Sequence, residues 1–366
     1  MGFLRFLLAF FVITTHSGAP GVTHPLYASA FVLYVFYAIS GYYITLTLNS
    51  KYAGPGGNRA YYINRFLRLY PIYFAILAIS IPAVFLNENP TRAAWREIGA
   101  GDSLWIGLAH LTIFGQDAAH YFHVTGGGLA FTPEFKATVL PAWRLLVVPT
   151  CWSLAIDCIF YVIAPFVVRK GVSFRVALGV LSLGWWALIL GLRAPIDPWI
   201  YRCFLGSLVI FLAGSLARTA HERCRPLVDR TVERLRSRPS LLVAALLAFF
   251  GLLTFWRMAG GNEIVPAVRY AVIPLFAVTL ATLPFLFTLS GGASAWCRLD
   301  GWLGRVTYPV FIVHYPVIRL TGWSNPLAVM GASVAVSAVV LWVVEGIVKR
   351  LKVEAPRLRG ESALIP

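Results

Sequence analysis

Three ionisable side chains stand in stretches of sequence that are otherwise apolar: His16, Asp157 and His314. Such groups are costly to bury in a lipid bilayer unless they are paired or hydrated, so each marks a candidate functional site. A histidine titrates near neutral pH and can act as a general base. A lone aspartate in such a stretch needs a histidine, an arginine or water as its partner. Structural roles remain open, because a core histidine can simply bond to a backbone carbonyl group.

Arginine residues point to a second kind of chemistry. Arg5 precedes His16 by eleven residues, which on an α-helix places both on one face, about 16 Å apart along the axis. Arg65 and Arg68 follow a glycine-rich segment and come just before Pro71 and an apolar stretch. A guanidinium group matches phosphate oxygens, so these arginines suit a phosphate-bearing ligand. Anchoring of the chain at the inner membrane surface is the alternative explanation.

Metal chemistry has little support in the sequence. His120 and His123 form an H-x-x-H motif without obvious further ligands, which is a weak signal for a metal site. None of the five cysteines belongs to a C-x-x-C pair, and most lie in or beside apolar stretches. We therefore predict no metal, no zinc site and no disulfide framework.

The elements that carry these residues are predicted to be membrane-spanning helices. The chain of 366 residues is 58% hydrophobic and only 13% charged, which indicates an all-α polytopic integral membrane protein. About ten stretches are long enough to cross a bilayer, and 104–114 is short enough to be a re-entrant or interfacial helix. The predicted spans are 3–19, 27–48, 69–86, 150–168, 176–192, 203–217, 240–257, 267–289, 307–320 and 326–347.

The distribution of basic residues predicts the orientation. The net charge is +16, but the bases lie in short runs between apolar stretches, which argues against nucleic-acid binding. With both termini in the cytoplasm and 104–114 not crossing, more than two thirds of the 31 lysines and arginines lie inside. Residues 1–350 are predicted to form one transmembrane domain, followed by a basic cytoplasmic tail at 351–366. None of the connecting segments is expected to bury a core of its own.

The first apolar stretch has a second interpretation. Arg5, the apolar residues 6–13 and the small residues Ser17 and Ala19 resemble a signal peptide with a cleavage site after Ala19. Cleavage there would remove His16, so the two interpretations exclude each other. We favour a retained first span.

Five motifs in order resemble the acyltransferase-3 family of membrane O-acyltransferases. They are RFLLAFFVITTH, which begins at Arg5 and ends at His16, then FYAISGYY, RFLRLYP, WSLAID and TYPVFIVHYP, and they span about residues 2–350. The sequence departs from the family pattern at Asp157, where a glutamate is usual, and at Cys158, where an acidic residue often follows. The segment VVEGIVKR lacks the proline of the family's usual terminus.

The resemblance implies an activity in the bacterial inner membrane. An acyl group, in the first place acetyl, would pass from cytoplasmic acyl-CoA to a hydroxyl of a glycan such as an exopolysaccharide, a lipopolysaccharide or a lipid-linked sugar. His16 would be the general base or a transient acyl carrier, and Asp157 and His314 would orient it or handle protons. The CoA contacts would come from Arg5, Arg65 and Arg68.

Other functions and states remain open at this point. A proton-coupled secondary transporter or flippase would use Asp157 and the histidines as a proton relay. A structural membrane protein would leave these buried groups without a purpose. The predicted partners are acyl-CoA, a glycan acceptor and membrane lipids, and a homo-oligomer is an open alternative.

Overall fold

The protein is a bundle of helices with one small hairpin. The computed structural model describes residues 1–18, 29–85, 89–237, 280–288 and 295–350. The helices are α1 (Gly2–His16), α2 (Ser29–Asn49), α3 (Gly57–Phe85), α4 (Pro90–Arg96), α5 (Ala100–Thr112), α6 (Cys151–Val168), α7 (Val172–Gly191), α8 (Ile196–Trp199), α9 (Phe204–Arg223), α10 (Arg225–Ser237), α11 (Ala295–Thr321) and α12 (Pro326–Arg350). Residues 280–288 are also helical. Strands β1 (Phe122–Thr125) and β2 (Gly128–Phe131) pair in antiparallel fashion.

Several of these helices are long and apolar enough to cross a membrane. Within the described residues there are six, in α2, α3, α6, α7, α9 and α12, and α1 is a shorter apolar helix. This confirms the prediction of an all-α membrane protein. The predicted span 240–257 and most of 267–289 lie outside the described residues, so the count of ten stays a prediction. Helix α5 has 13 residues, about 20 Å, which is short of a full crossing.

Two helices begin well before the spans predicted within them. Helix α3 begins at Gly57, twelve residues before the predicted span 69–86, so Arg65 and Arg68 lie in the helix and not in a loop before it. Helix α11 begins at Ala295, not at 307. The predicted boundaries were wrong because charged residues lower the hydropathy of a segment without breaking a helix.

Helices α1 and α11 run side by side in the same direction. The Asp300 carboxylate accepts hydrogen bonds from the backbone N–H groups of Gly2 and Phe3, at 2.9 and 2.8 Å. A Cβ atom at Gly2 would collide with the backbone at Asp300, so only glycine permits this approach. His16 meets His314 at the other end of the pair. Residues 298 apart in sequence are therefore neighbours along the whole of α1.

Helices α2 and α9 pack closely through small residues. A Cβ atom at Gly41 would meet the backbone carbonyl group of Phe211, and one at Gly214 would meet that of Ala38. Small residues let two helical backbones approach in a membrane, where lipid is as apolar as the side chains. The hydroxyl of Thr45 on α2 donates to that of Ser215 on α9 at 2.7 Å.

The segment between α3 and α6 forms a small folded unit, and we call the end of the bundle that carries it the loop face. Its core packs α4 and α5 against the hairpin through buried apolar residues, namely Ala94, Ile106, Val124, Ala142 and Leu145. His110 of α5 accepts a hydrogen bond from the Val147 backbone N–H at 2.9 Å. Neither connecting segment supplies this core alone, because residues on both sides of α5 and from α5 itself contribute to it.

Candidate active site

Two of the predicted site residues touch each other. The Nδ1 atom of His16 lies 2.8 Å from the Nε2 atom of His314. The two imidazole rings are nearly parallel, with 5.1 Å between their centres and 6° between their planes. His314 is completely buried, and its Nδ1 atom has no hydrogen-bond partner among the described residues. Parallel packing of α1 and α11 brings the rings to one depth.

His16 also lines a cavity that opens at the loop face. The cavity has a volume of about 470 Å³. Many of its wall residues are aromatic: Phe135, Trp143, Trp152, Tyr201, Phe311 and Tyr315. Among the described residues that line it, three are cationic, Lys136, Arg144 and Arg202, and none is an aspartate or glutamate. The volume lies in the usual range of small-molecule sites, roughly 300–1,000 Å³.

Arg202 is the most firmly held of the three cations. Its Nε atom donates to the Asp197 carboxylate at 2.7 Å, and Lys136 shares the same carboxylate at 2.8 Å. The guanidinium group lies 4.2 Å from the centre of the Trp152 ring, which is a close cation–π contact. Arg202 is also close enough to His16 for their charges to interact.

His120 belongs to the wall of this cavity. Its ring stands edge-on to Phe135 and Trp152, with 5.2 and 5.7 Å between centres. Burial, together with the nearby charges of Arg202 and Lys136, holds the pKa of His120 well below its usual range. A buried neutral imidazole is therefore expected here at pH 7.

The three arginines predicted to contact CoA lie at the opposite end of the bundle, which we call the arginine face. Arg5 of α1 and Arg65 and Arg68 of α3 are close enough for their charges to repel one another. Arg5 stacks on the Tyr43 ring at 4.6 Å, and Arg65 stacks on the Tyr61 ring at 5.3 Å. In the described ranges no carboxylate lies within 4 Å of any of these three guanidinium groups. Clustered, unpaired guanidinium groups form a site suited to an anion.

Asp157 lies with the arginines and not with the histidines. It is half-buried, its neighbours include Ser40, and the charges of Arg65 and Arg5 act on it. Its Oδ1 atom is buried and has no hydrogen-bond partner in the part of the chain that the structure describes. No hydrogen bond there joins it to His16 or His314. The structure therefore separates Asp157 from the histidine pair.

The H-x-x-H motif does not gather further ligands. His120 faces the cavity, whereas His123 lies on β1 opposite Ala130. Across the described ranges, no group of three histidine, cysteine, aspartate or glutamate side chains could hold a metal ion.

The chain matches a known protein family over nearly its whole length. A family model described as an acyltransferase domain, acyltransferase 3, matches residues 1–344. The chain belongs to the acyltransferase 3 family. The match includes all six predicted site residues of this acyltransferase 3 chain.

One curated relative extends the comparison of this acyltransferase 3 chain. The peptidoglycan O-acetyltransferase OatA of Listeria monocytogenes serovar 1/2a is 24% identical over an alignment of 308 positions, which covers 78% of this chain and 44% of the relative. The chain thus spans less than half the length of that protein. No solved structure matches the chain.

Sequence reasoning about this acyltransferase 3 chain overlooked the cavity wall. Arg144 and Arg202 belong to the minority of basic residues on the predicted outer side. Their position is itself a usable signal, because the positive-inside rule depletes arginine on that side and membrane anchoring does not explain the arginines that remain there. Their convergence on one cavity depends on contacts between distant segments, and a single sequence does not reveal it.

Proposed function

We propose that this protein transfers an acyl group, in the first place acetyl, from acyl-CoA at the arginine face to a glycan hydroxyl at the loop face. The observation that carries the proposal is the contact between His16 and His314 at the wall of the loop-face cavity. Family membership supports acyl transfer, and the relative that is a peptidoglycan O-acetyltransferase supports a glycan acceptor.

His16 lines the cavity and His314 is completely buried, so we assign the free basic nitrogen of the pair to His16. In this assignment the Nδ1 atom of His314 carries its proton and Nε2 presents a lone pair to His16. His16 then donates its Nδ1–H to that lone pair. This leaves the Nε2 of His16 as the basic atom for a hydroxyl bound in the cavity. His314 acts as a positioning residue that fixes the ring and tautomer of His16.

The donor is proposed to bind through its phosphates. Arg5, Arg65 and Arg68 offer guanidinium groups without carboxylate partners, which suits the phosphates of CoA. The acyl end must then reach about 16 Å along α1, the distance from Arg5 to His16 on a helix. Asp157, beside Ser40 and this arginine cluster, lies on that route and is proposed to orient the arginines and the donor.

A single base, His16, carries out both proton transfers of the proposed reaction. His16 takes the proton from the acceptor hydroxyl as the oxygen attacks the thioester carbonyl carbon. The carbon–sulfur bond then breaks, and the thiolate of CoA receives the proton from His16, which yields the acyl ester and free CoA. In the covalent variant, His16 carries the acyl group between two such steps. Holding hydroxyl and thioester in place accounts for much of the expected acceleration.

The proposal is tested on glycans made in cells. The native strain and a strain that lacks this protein are fed labelled acetate, and label released from the envelope polysaccharide by mild alkali is measured. We expect the ester-linked label to fall in the deletion strain and to return with the wild-type gene. Equal ester labelling in both strains would refute the proposal, and loss of glycan export without loss of esters would favour a transporter.

A further inference from the structure

We propose that the loop-face cavity is the acceptor site and that it selects sugars carrying an anionic group, a carboxylate or a phosphate. This inference rests on the proposed function for the identity of the acceptor. It adds the chemical class of the acceptor and names Arg144 as the residue that selects it. The shape of the cavity, its charge and one unused hydrogen-bonding group support this assignment.

The aromatic wall fits a sugar ring. Trp143, Trp152 and Tyr201 line the cavity together, and Trp152 meets Tyr201 at 5.1 Å between ring centres. The C–H face of a pyranose is apolar with a partial positive charge on its hydrogens, so it packs against the negative face of an aromatic ring. A volume of about 470 Å³ gives room for one or two such rings next to His16.

The positive charge of the cavity wall favours an anionic ligand. Lys136 and Arg202 share the single carboxylate of Asp197, at 2.8 and 2.7 Å. Arg144 lies 6.0 Å from the centre of the Trp143 ring, and no carboxylate in the described part of the chain is within 4 Å of it. A neutral glycan would leave this cationic wall uncompensated in a half-enclosed site, whereas an acidic sugar would pair with it.

One wall hydroxyl has no partner. Thr150 is buried and lines the cavity, and its Oγ1 atom makes no hydrogen bond in the described residues. A buried polar group without a partner costs free energy, and a ligand hydroxyl or carboxylate could satisfy it. Arg144 and Thr150 both line this cavity, so a ligand bound there can contact both.

The test compares matched sugars on the purified full-length protein. Ligand-observed NMR measures binding of methyl glucoside, of methyl glucuronide and of methyl glucoside 6-phosphate, which differ at one carbon. We expect at least one anionic sugar to bind about tenfold or more tightly than the neutral one, the effect of one charge-assisted contact. Arg144→Gln should remove this preference, Arg144→Lys should keep most of it, and Arg193→Gln, outside the cavity, should change nothing.

The outcomes separate this inference from the proposed function. Equal binding of all three sugars overturns the inference, as does an equal loss for neutral and anionic sugars in Arg144→Gln. Acyl transfer from acetyl-CoA is measured on the same preparation. Transfer with no preference for the anionic sugar overturns the acceptor class and leaves acyltransferase activity standing. Binding preference without transfer supports the site and counts against the proposed function alone.

Discussion

His16 and His314 have different roles in the proposed mechanism, so substitutions of the two residues should have different effects on activity. His16→Gln is expected to lower acyl transfer by 10²-fold or more, because an amide does not titrate near neutral pH. His314→Gln should cost less, about tenfold, since an amide oxygen can still accept from the Nδ1–H of His16. Initial rates of label transfer, normalised to folded protein, measure both effects.

His123→Gln serves as the matched control, because His123 lies at the loop face but does not line the cavity. Activity of His16→Gln within about threefold of the wild-type protein would mean that His16 is structural. The base would then have to be sought elsewhere in the cavity.

The arginine cluster leads to a prediction about donor binding. Arg65→Ala and Arg68→Ala should each weaken CoA binding about tenfold or more, since a charge-assisted contact contributes about 1.5–3 kcal/mol. The protein should stay folded, because these guanidinium groups have no carboxylate partner in the described residues. Calorimetry with CoA measures the affinity, and Arg59→Ala on the same helix is the control. Unchanged affinity in the double variant would reassign both residues to membrane anchoring.

At the residue scale, the sequence selects candidate site residues but not their arrangement. Burial cost within apolar stretches was sufficient to select His16, Asp157 and His314. Burial cost alone did not predict that the two histidines are in contact, because residues 298 positions apart meet only through helix packing. It also did not predict that Asp157 lies with the arginines. The cavity wall was overlooked for the same reason, since Arg144 and Arg202 come from different segments.

Glycine contacts between α2 and α9 test the packing of whole elements. Gly41→Leu should push α9 away from α2, because the new side chain would meet the Phe211 backbone, which cannot yield as a flexible side chain would. Overpacking of this kind costs about 1–3 kcal/mol, so we expect a lower midpoint of thermal unfolding in detergent. Gly184→Leu on α7 is the matched control, since no atom lies within 4 Å of its added Cβ. Equal midpoints for the two variants would contradict the close packing of α2 and α9.

Helix boundaries show where hydropathy is informative and where it is not. Apolar stretches predicted the existence and class of α2, α6, α7, α9 and α12. They misplaced the starts of α3 and α11, because a helix continues past the point where its side chains become charged. The small core at the loop face was also missed, since it is assembled from short pieces on both sides of α5.

The orientation of the whole molecule remains a prediction that reporter tags can test. Tags at Gly54 and after Arg230 are expected to report the cytoplasm, and a tag at Gly127 in the hairpin is expected to report the outer side. The reason is the excess of basic residues on the predicted inner side. Gly54 and Gly127 are suitable positions because both are exposed and no atom would meet an added side chain. A cytoplasmic signal at Gly127 would reverse the assignment of the loop face and place the cavity with the donor.

In the parallel pair α1 and α11, the same number of residues separates the Asp300 contact from the histidine contact on each helix. Asp300 fixes one end of the pair at Gly2, and fourteen residues further along each helix stand His16 and His314. One alanine inserted in only one of these two stretches, residues 2–16 or 300–314, would rotate the following histidine ring by about 100° about the helix axis. It would also shift that ring by about 1.5 Å along the axis. Seven residues inserted in both stretches, which is close to two full turns, would move both rings together and keep them facing each other. Spacing, as much as side-chain identity, is therefore what these two helices must preserve.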